Sequence, residues 1–288
     1  MTKSSKENFH KGNEMKVGLY LVSTPIGNLE DITLRAIKIL KNSDFILCED
    51  TRNSIKLLNR HNIKNKLIPY HKFNEKKKLN EIIGLINKDK IISLISDAGT
   101  PTISDPGKIL VNECIKLGIS IYSIPGPSAS ISALSVSGFN DKSLFYGFLP
   151  DKKKQIENEL KKLSNFDYSI IFFISSKKFL KVFDIIKIFF PNRKILIAKE
   201  ITKLYEKYIQ GDISKLSIKE EEIKGELTIV ISDVDNDKKG FQILRESVKK
   251  DIGEMLKKYT IKDTVSFISK KEMISKKTVY DYCLKLKK

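Results

Sequence analysis

The sequence has few of the residues that mark secreted, metal-binding or membrane proteins. Its 288 residues include no tryptophan and three cysteines, Cys48, Cys114 and Cys283. These are far apart and form no C-x-x-C pair, so we expect no disulfide framework and no metal site. The longest purely apolar run, Ile170–Ile174, is five residues, whereas a membrane-spanning helix needs about 20. The polar first residues have no signal-peptide pattern. We therefore expect a cytoplasmic protein with no membrane partner.

The spacing of the glycines excludes the common nucleotide-binding fingerprints. No two of the 14 glycines lie two residues apart, so a G-x-G-x-x-G turn is impossible, and the dinucleotide and methyltransferase folds that use it are excluded. The sequence also lacks a Walker-type phosphate loop and the G-x-S-x-G motif of many hydrolases. The three histidines, His10, His61 and His71, have no metal-ligand spacing.

The chain is strongly basic, but its positive charge comes almost entirely from lysine. A net charge of +18 suggests a polyanionic partner such as nucleic acid. Only five of the 53 basic residues are arginine, and isoleucine and asparagine are abundant, which is a bias typical of AT-rich coding sequence. The charge alone therefore leaves nucleic-acid binding open.

Short β-branched runs alternate with helical patterns along the first half of the chain. The runs at 17–22, 45–48, 91–95 and 119–124 are each followed by turn residues. The pattern Ile32–Lys41 predicts a helix with Asp31 as its N-cap. This alternation predicts an α/β fold with a largely parallel sheet. Ligands of such sheets bind at the loops that follow the carboxyl ends of the strands.

A second α/β unit and a helical extension follow. The closely spaced strand patterns Lys194–Lys199 and Tyr205–Gln210 predict a mixed sheet, and the polar segment Val234–Gly240 is typical of a linker. The Lys-rich helices after it are typical of a helix-turn-helix module or of a cap on the second domain. The predicted organisation is a disordered tail at 1–15, an N-terminal α/β domain at 16–142, a C-terminal α/β domain at 143–235 and a helical extension at 241–288.

Four loops rich in glycine, proline and small residues follow the predicted strands of the first domain. Small residues let a ligand lie against bare peptide groups, so these loops suit a flat polar ligand such as an adenosine derivative. The loops are Pro25-Ile26-Gly27-Asn28, Asp97-Ala98-Gly99-Thr100-Pro101, Asp105-Pro106-Gly107 and Pro125-Gly126-Pro127-Ser128.

Motifs in these loops and at Glu49–Arg52 resemble the tetrapyrrole methylase superfamily, and more closely its ribosomal RNA small-subunit methyltransferase I subfamily. The resemblance covers about Lys16 to Leu286 and is most specific at Thr24-Pro25-Ile26-Gly27-Asn28, Glu49-Asp50-Thr51-Arg52 and Ser96-Asp97-Ala98-Gly99-Thr100-Pro101. One stretch departs from the subfamily, because Ile174 and Lys178 stand where it usually has glutamate and arginine.

The resemblance implies an α/β tetrapyrrole methylase-like fold and an S-adenosylmethionine-dependent enzyme. Its implied reaction is 2′-O-methylation of a cytidine ribose in the decoding region of 16S rRNA, within the small ribosomal subunit, by a homodimer. The cofactor-binding residues it implies are Pro25, Gly27, Asp97, Ala98, Gly99, Thr100, Ile103, Ser128 and Ala129.

The candidate catalytic residues are Glu49, Asp50 and Arg52. A carboxylate after a buried strand could take the proton of a ribose hydroxyl, and the arginine could hold a phosphate. The alternative is a helix N-cap with a local salt bridge. On the RNA side we expect His71, Lys72 and Asn74, for which the alternative is a turn with a capping box. Further lysine candidates for RNA contact are Lys76–Lys78, Lys152–Lys154, Lys270, Lys271, Lys276 and Lys277.

Two rival functions remain open. One is a corrin or porphyrin methylase of the same superfamily. The basic net charge and the motif at Glu49–Arg52 disfavour it. The other is a non-catalytic RNA-binding ribosome factor, which the substitutions at Ile174 and Lys178 keep open.

Overall fold

A computed structural model describes residues 15–234, 246–272 and 276–286. The expected disordered tail and linker fall almost wholly outside these residues, at 1–14 and 235–240. The chain divides into two compact units. The first contains residues 15–136, Ala198–Tyr208 and Gly225–Thr228, and the second contains Ser137–Ile197, Ile209–Lys224 and the described residues from 229 onward. The domain boundaries expected from the sequence stay a prediction.

The first unit is built on a five-stranded sheet in the order β3-β2-β4-β1-β5. All neighbouring strands run parallel, as the alternating pattern predicts. The strands are β1 (Gly18–Val22), β2 (Phe45–Cys48), β3 (Lys66–Pro69), β4 (Ile91–Leu94) and β5 (Ile121–Ile124). The helices are α1 (Leu34–Asn42), α2 (Thr51–Arg60), α3 (Glu75–Ile86), α4 (Lys108–Lys116) and α5 (Ala129–Ser137).

Both faces of this sheet are buried, and strand periodicity decides which residue joins which face. In β1, Tyr20 and Val22 pack with the apolar residues of α1 and α2. Leu19, pointing the opposite way, packs with those of α3 and α4. Successive side chains of a strand point to opposite faces, so the continuous apolar run of β1 supplies two cores. Cys48 and Cys114 are buried in these cores.

The second sheet, most of whose residues belong to the second unit, is mixed, which confirms the expectation from its strand spacing. Its strand order is β6-β7-β10-β8-β9, and β6 and β7 are parallel. Ile213 donates to the carbonyl of Arg193 at 3.0 Å, which sets the end of β9 beside the start of β8, so this pair is antiparallel. The strands are β6 (Ser143–Phe148), β7 (Ser169–Ser175), β8 (Lys194–Lys199), β9 (Lys207–Asp212) and β10 (Glu226–Ile231).

Five further helices belong to the second unit within the described residues. The last three share a small core that includes Val248, Ile268 and Cys283. This part of the chain is helical, as the sequence predicts. The helices are α6 (Lys153–Leu163), α7 (Ser176–Phe189), α8 (Glu246–Leu256), α9 (Ile261–Lys271) and α10 (Lys276–Leu286).

Two predicted boundaries are wrong, and local hydrogen bonds explain both. Helix α1 begins after Thr33, whose side chain accepts the N–H of Ala36 at 3.0 Å, whereas Asp31 ends a short 3₁₀ turn. Strand β9 begins at Lys207 rather than Tyr205, because Glu206 donates to the carbonyl of Lys203 and closes a turn.

The position of this cap gives a stability prediction. We expect Thr33→Ala to lower the free energy of unfolding by about 1 kcal/mol, because the N–H of Ala36 loses its acceptor. The matched variant Asp31→Ala, two residues away, is expected to change it by less than about 0.5 kcal/mol. Urea unfolding of both variants measures this, and an equal loss in the two would contradict Thr33 as the cap.

Candidate functional site

The five loops that follow the parallel strands share one edge of the first sheet, because the carboxyl ends of parallel strands point the same way. Every sequence-predicted site residue of the first unit lies in one of these loops or at the start of the helix that follows it. Pro25 and Gly27 follow β1, and Ile103 lies in the loop after β4. The catalytic candidates follow β2, and the RNA candidates follow β3.

The loops after β1 and β4 are joined by backbone hydrogen bonds. Thr24 donates to the carbonyl of Gly99 at 2.9 Å, and Gly99 donates back at 3.0 Å. The hydroxyl of Thr24 also donates to the carbonyl of Ser96 at 3.1 Å. Gly99 has a φ of +78°, a conformation that favours glycine. The two loops therefore present one fixed surface of peptide groups.

The loop after β5 joins the same surface through Ser23. A Cβ at Gly126 would lie 2.8 Å from the Cβ of Ser23, so only glycine allows this approach. The hydroxyl of Ser23 also lies 2.9 Å from that of Thr100. Of the predicted cofactor residues on this surface, Pro25 and Gly99 are buried, Thr100, Ser128 and Ala129 are half-buried, and Gly27, Asp97, Ala98 and Ile103 are exposed.

Three carboxylates gather where the loops after β2 and β4 meet. Asp97 accepts from the backbone N–H of Asp50 at 3.2 Å and from the side-chain amide of Asn53 at 3.1 Å. Burial and the charge of Asp97 raise the pKa of Glu49, while His71 and Lys72 act in the opposite sense. Burial and the charge of Glu49 raise the pKa of Asp105 to about 6. The site thus holds carboxyls of increased basicity.

Asp50 and Arg52 are engaged with each other. One Asp50 oxygen caps α2 by accepting the N–H of Arg52 at 2.8 Å, and the Arg52 guanidinium donates to both oxygens, at 3.1 and 2.6 Å. These bonds lower the pKa of Asp50 to about 2. The cap and local salt bridge considered from the sequence are therefore present, and they make Asp50 a weaker base than Glu49.

The capping box expected as the alternative at Asn74 is wrong. Asn74 precedes α3 but makes no side-chain bond to that helix. Its side chain instead accepts the N–H of His71 at 2.9 Å and donates to the carbonyl of Pro69 at 3.0 Å. These bonds fix the turn that carries His71 and Lys72.

Two contributors to this edge were missed in the sequence. Asp105 lies in the loop after β4, and this position after a strand is the signal that predicts a carboxyl at the edge. The segment Ala198–Tyr208 also belongs to the first unit. Its Thr202 hydroxyl accepts the N–H of Asn28 at 3.0 Å, and a Cβ at Gly27 would lie 2.6 Å from the Thr202 Oγ1.

The two departures from the subfamily motif have structural roles in the second unit. Ile174 is 3% exposed in β7, so this position belongs to the core. Lys178 donates to the carbonyl of Leu149 at 2.6 Å and to Asp151 at 2.7 Å. Lys178 therefore fixes the loop after β6 through these two hydrogen bonds.

A family model for Tetrapyrrole (Corrin/Porphyrin) Methylases matches residues 18–217. The chain belongs to the tetrapyrrole methylase family. A "Ribosomal RNA small subunit methyltransferase I" of Mesomycoplasma conjunctivae is 50% identical over 215 residues, covering 73% of this chain and 89% of the relative. One of the same name from Buchnera aphidicola subsp. Schizaphis graminum is 41% identical over 285 residues, covering 93% and 96%.

Solved tetrapyrrole methylase structures share the fold at low identity. The methyltransferase CobJ has a TM-score of 0.58 at 15% identity, over 75% of this chain and 94% of that one. A Thermus thermophilus uroporphyrin-III C-methyltransferase, complexed with S-adenyl homocysteine, has a TM-score of 0.51 at 15% identity, over 74% and 96%. Within the part of this chain that the structure describes, no helix combines the length and apolar character of a membrane span.

Proposed function

We propose that this protein transfers a methyl group from S-adenosylmethionine to the ribose 2′-oxygen of a cytidine in the decoding region of 16S rRNA. The observation that carries the proposal is the 41–50% identity to relatives named for small-subunit rRNA methylation, one of which aligns over 93% of this chain. The family is S-adenosylmethionine-dependent. The carboxylates at the sheet edge supply the base that a hydroxyl acceptor needs.

The donor set at the sheet edge fits an adenosyl group. The joined loops around Thr24, Gly99 and Gly126 present fixed peptide groups with little side-chain bulk. Ser128 adds a hydroxyl, and Asp97 is an exposed carboxylate that can accept hydrogen bonds from a ribose. When bound, the cofactor supplies an electrophilic methyl group. The loops supply alignment, which can contribute about 7–11 kcal/mol to such a transfer.

Glu49 is the base in this proposal. A ribose hydroxyl is a poor nucleophile while protonated, so a carboxylate of raised pKa within hydrogen-bond reach assists the transfer. Asp50 positions α2 and Arg52 instead, because its oxygens are engaged and its pKa is about 2. The Arg52 side chain is 86% exposed, and a guanidinium has five donors, so donors remain for a backbone phosphate.

The substrate context follows from the same assignment. We propose the folded small ribosomal subunit as substrate, in the cytoplasm, with the enzyme acting as a homodimer. Lysines near the site, such as Lys72 and Lys76, are exposed. Binding is expected to weaken with added salt, because the release of phosphate counterions on binding gains less free energy at higher salt.

Methyl transfer from labelled S-adenosylmethionine tests the proposal. Small subunits lacking the modification are expected to take up label, and nuclease mapping is expected to place it on one cytidine ribose. Free rRNA and a tetrapyrrole precursor run in parallel. Label on the precursor alone would establish the rival porphyrin or corrin methylase. Binding of the cofactor without transfer to any of the three would overturn the proposed acceptor.

A further inference from the structure

An aromatic side chain stands exposed in the turn between β3 and α3. Phe73 is 81% exposed, although burying a phenylalanine is favourable. Single exposed apolar residues are common on protein surfaces, so this exposure carries an inference only through what surrounds the ring.

The ring of Phe73 is flanked by two side chains suited to nucleic acid. The Lys72 ammonium lies over the ring, 4.9 Å from its centroid. The His71 ring packs edge-on with centroids 6.0 Å apart. An aromatic face beside an exposed cation offers stacking for a base and charge for its phosphate.

The turn that presents Phe73 is fixed. The Asn74 side chain bridges the N–H of His71 and the carbonyl of Pro69, and the N–H of Glu75 donates to the carbonyl of His71 at 3.0 Å. A preorganised contact loses less freedom on binding than a mobile one. The backbone that carries the ring is therefore in place before RNA binds.

The turn also borders the carboxylates. The backbone N–H of Tyr70 donates to the carbonyl of Cys48 at 2.8 Å. His71 and Glu49, the residues that follow this pair, therefore lie side by side at the ends of neighbouring strands. His71 and Lys72 are close enough to Glu49 to act on its charge. A base held at Phe73 would thus lie near the group that takes the hydroxyl proton.

We propose that Phe73 is a stacking platform for an unstacked base of the RNA substrate, and so a positioning residue for the target ribose. This rests on the proposed function. Methyl transfer to a ribose hydroxyl needs the nucleotide to be held in one orientation, and single-stranded bases are recognised by stacking on aromatic rings.

The test uses the full-length protein and small ribosomal subunits. Phe73→Leu keeps an apolar side chain without a flat face, whereas Phe73→Trp keeps the face. The matched control is Phe166→Leu, at a phenylalanine 44% exposed in the second unit. The readouts are KM and kcat for methyl transfer, retention of subunits on filters without cofactor, and cofactor affinity by calorimetry.

We expect Phe73→Leu to raise KM and weaken subunit binding about 10-fold. Its kcat should change less than about threefold, because a contact made equally in ground and transition states acts on KM. Phe73→Trp and Phe166→Leu should stay within about twofold of the wild type. The slope of the logarithm of the binding constant against the logarithm of the salt concentration should fall in magnitude by about one in Lys72→Gln. The same slope should stay unchanged in Phe73→Leu.

The outcomes separate this inference from the proposed function. Methyl transfer that is equal in the wild type and Phe73→Leu overturns the platform alone, as does equal impairment of the Leu and Trp variants. Subunit binding that depends on Phe73, without methyl transfer, overturns the proposed function alone. A wild type that neither binds nor methylates subunits overturns both.

Discussion

Glu49→Gln is expected to lower kcat for methyl transfer by about 10²- to 10⁴-fold, the usual contribution of a positioned general base. Glutamine keeps the shape and removes the proton acceptor. In the wild type, kcat/KM should fall as the pH is lowered through the pKa of Glu49. Because burial and Asp97 raise that pKa, the fall should begin above the range of an ordinary glutamate, and the variant should lack it.

The control for this experiment is Glu30→Gln, at an exposed acid of the 3₁₀ turn, which should leave kcat within about twofold of the wild type. Cofactor affinity should be unchanged in both variants. Thermal stability should be unchanged in Glu30→Gln and equal to or above the wild type in Glu49→Gln, because burial opposes the ionisation of Glu49. If Glu49→Gln retained more than about a third of the wild-type kcat, the base would have to be another group of the edge, and Asp105→Asn would be the next variant to assay.

Asp105→Asn is expected to stabilise the protein above neutral pH. The pKa of Asp105 rises from an ordinary 3.8 to about 6, so the folded state binds this proton more tightly than the unfolded state. The carboxyl therefore costs stability as the pH rises through 4 to 6, and the full cost is present above 6. A pKa difference of one corresponds to about 1.4 kcal/mol. Replacing the carboxyl should therefore raise the free energy of unfolding by on the order of 3 kcal/mol at pH 8.

Urea unfolding at pH 8 and pH 3.5 checks this expectation. At pH 3.5 aspartate and asparagine should be nearly equal, since the carboxyl is mostly protonated in both states. Asp184→Asn is the matched control, because that side chain is 90% exposed and should change stability little at either pH. A gain at pH 8 that persisted undiminished at pH 3.5 would show that ionisation is not its cause.

The parallel sheet could be predicted because its strands are apolar and lie between strong turn signals. Strand β3 was missed because it lies at the sheet edge and reads Lys-Leu-Ile-Pro, with lysine and proline typical of edges. Proline also donates no hydrogen bond to a neighbouring strand. An edge strand of four residues thus leaves almost no pattern in the sequence.

The site could be predicted only as far as topology determines it. The sequence places Glu49 and Asp97 after two strands of a parallel sheet, and the carboxyl ends of such strands lie at one edge. Their proximity can therefore be predicted from the sequence alone. The side-chain hydrogen bonds depend on rotamers, which the sequence does not show. Examples are the bond between Asp50 and Arg52 and the bond between Asn74 and His71. The bond between Asn28 and Thr202 joins residues 174 positions apart, and no local pattern encodes such a contact.

The strand order has a consequence for synthesis on the ribosome. Strand β1 leaves the ribosome first but bonds only to β4 and β5, which are made roughly 70 and 100 residues later. Until residue 94 has emerged, β1 has no strand partner, and until residue 124 has emerged, one of its edges stays unpaired. Parallel pairing across such distances is slow. The loops that meet at Ser23 and Gly126, which belong to the proposed cofactor site, therefore come together only after the other four strands have been made. A nascent chain stalled before β5 would leave one edge of β1 without hydrogen-bond partners, and an unpaired strand edge is a template for association with another chain.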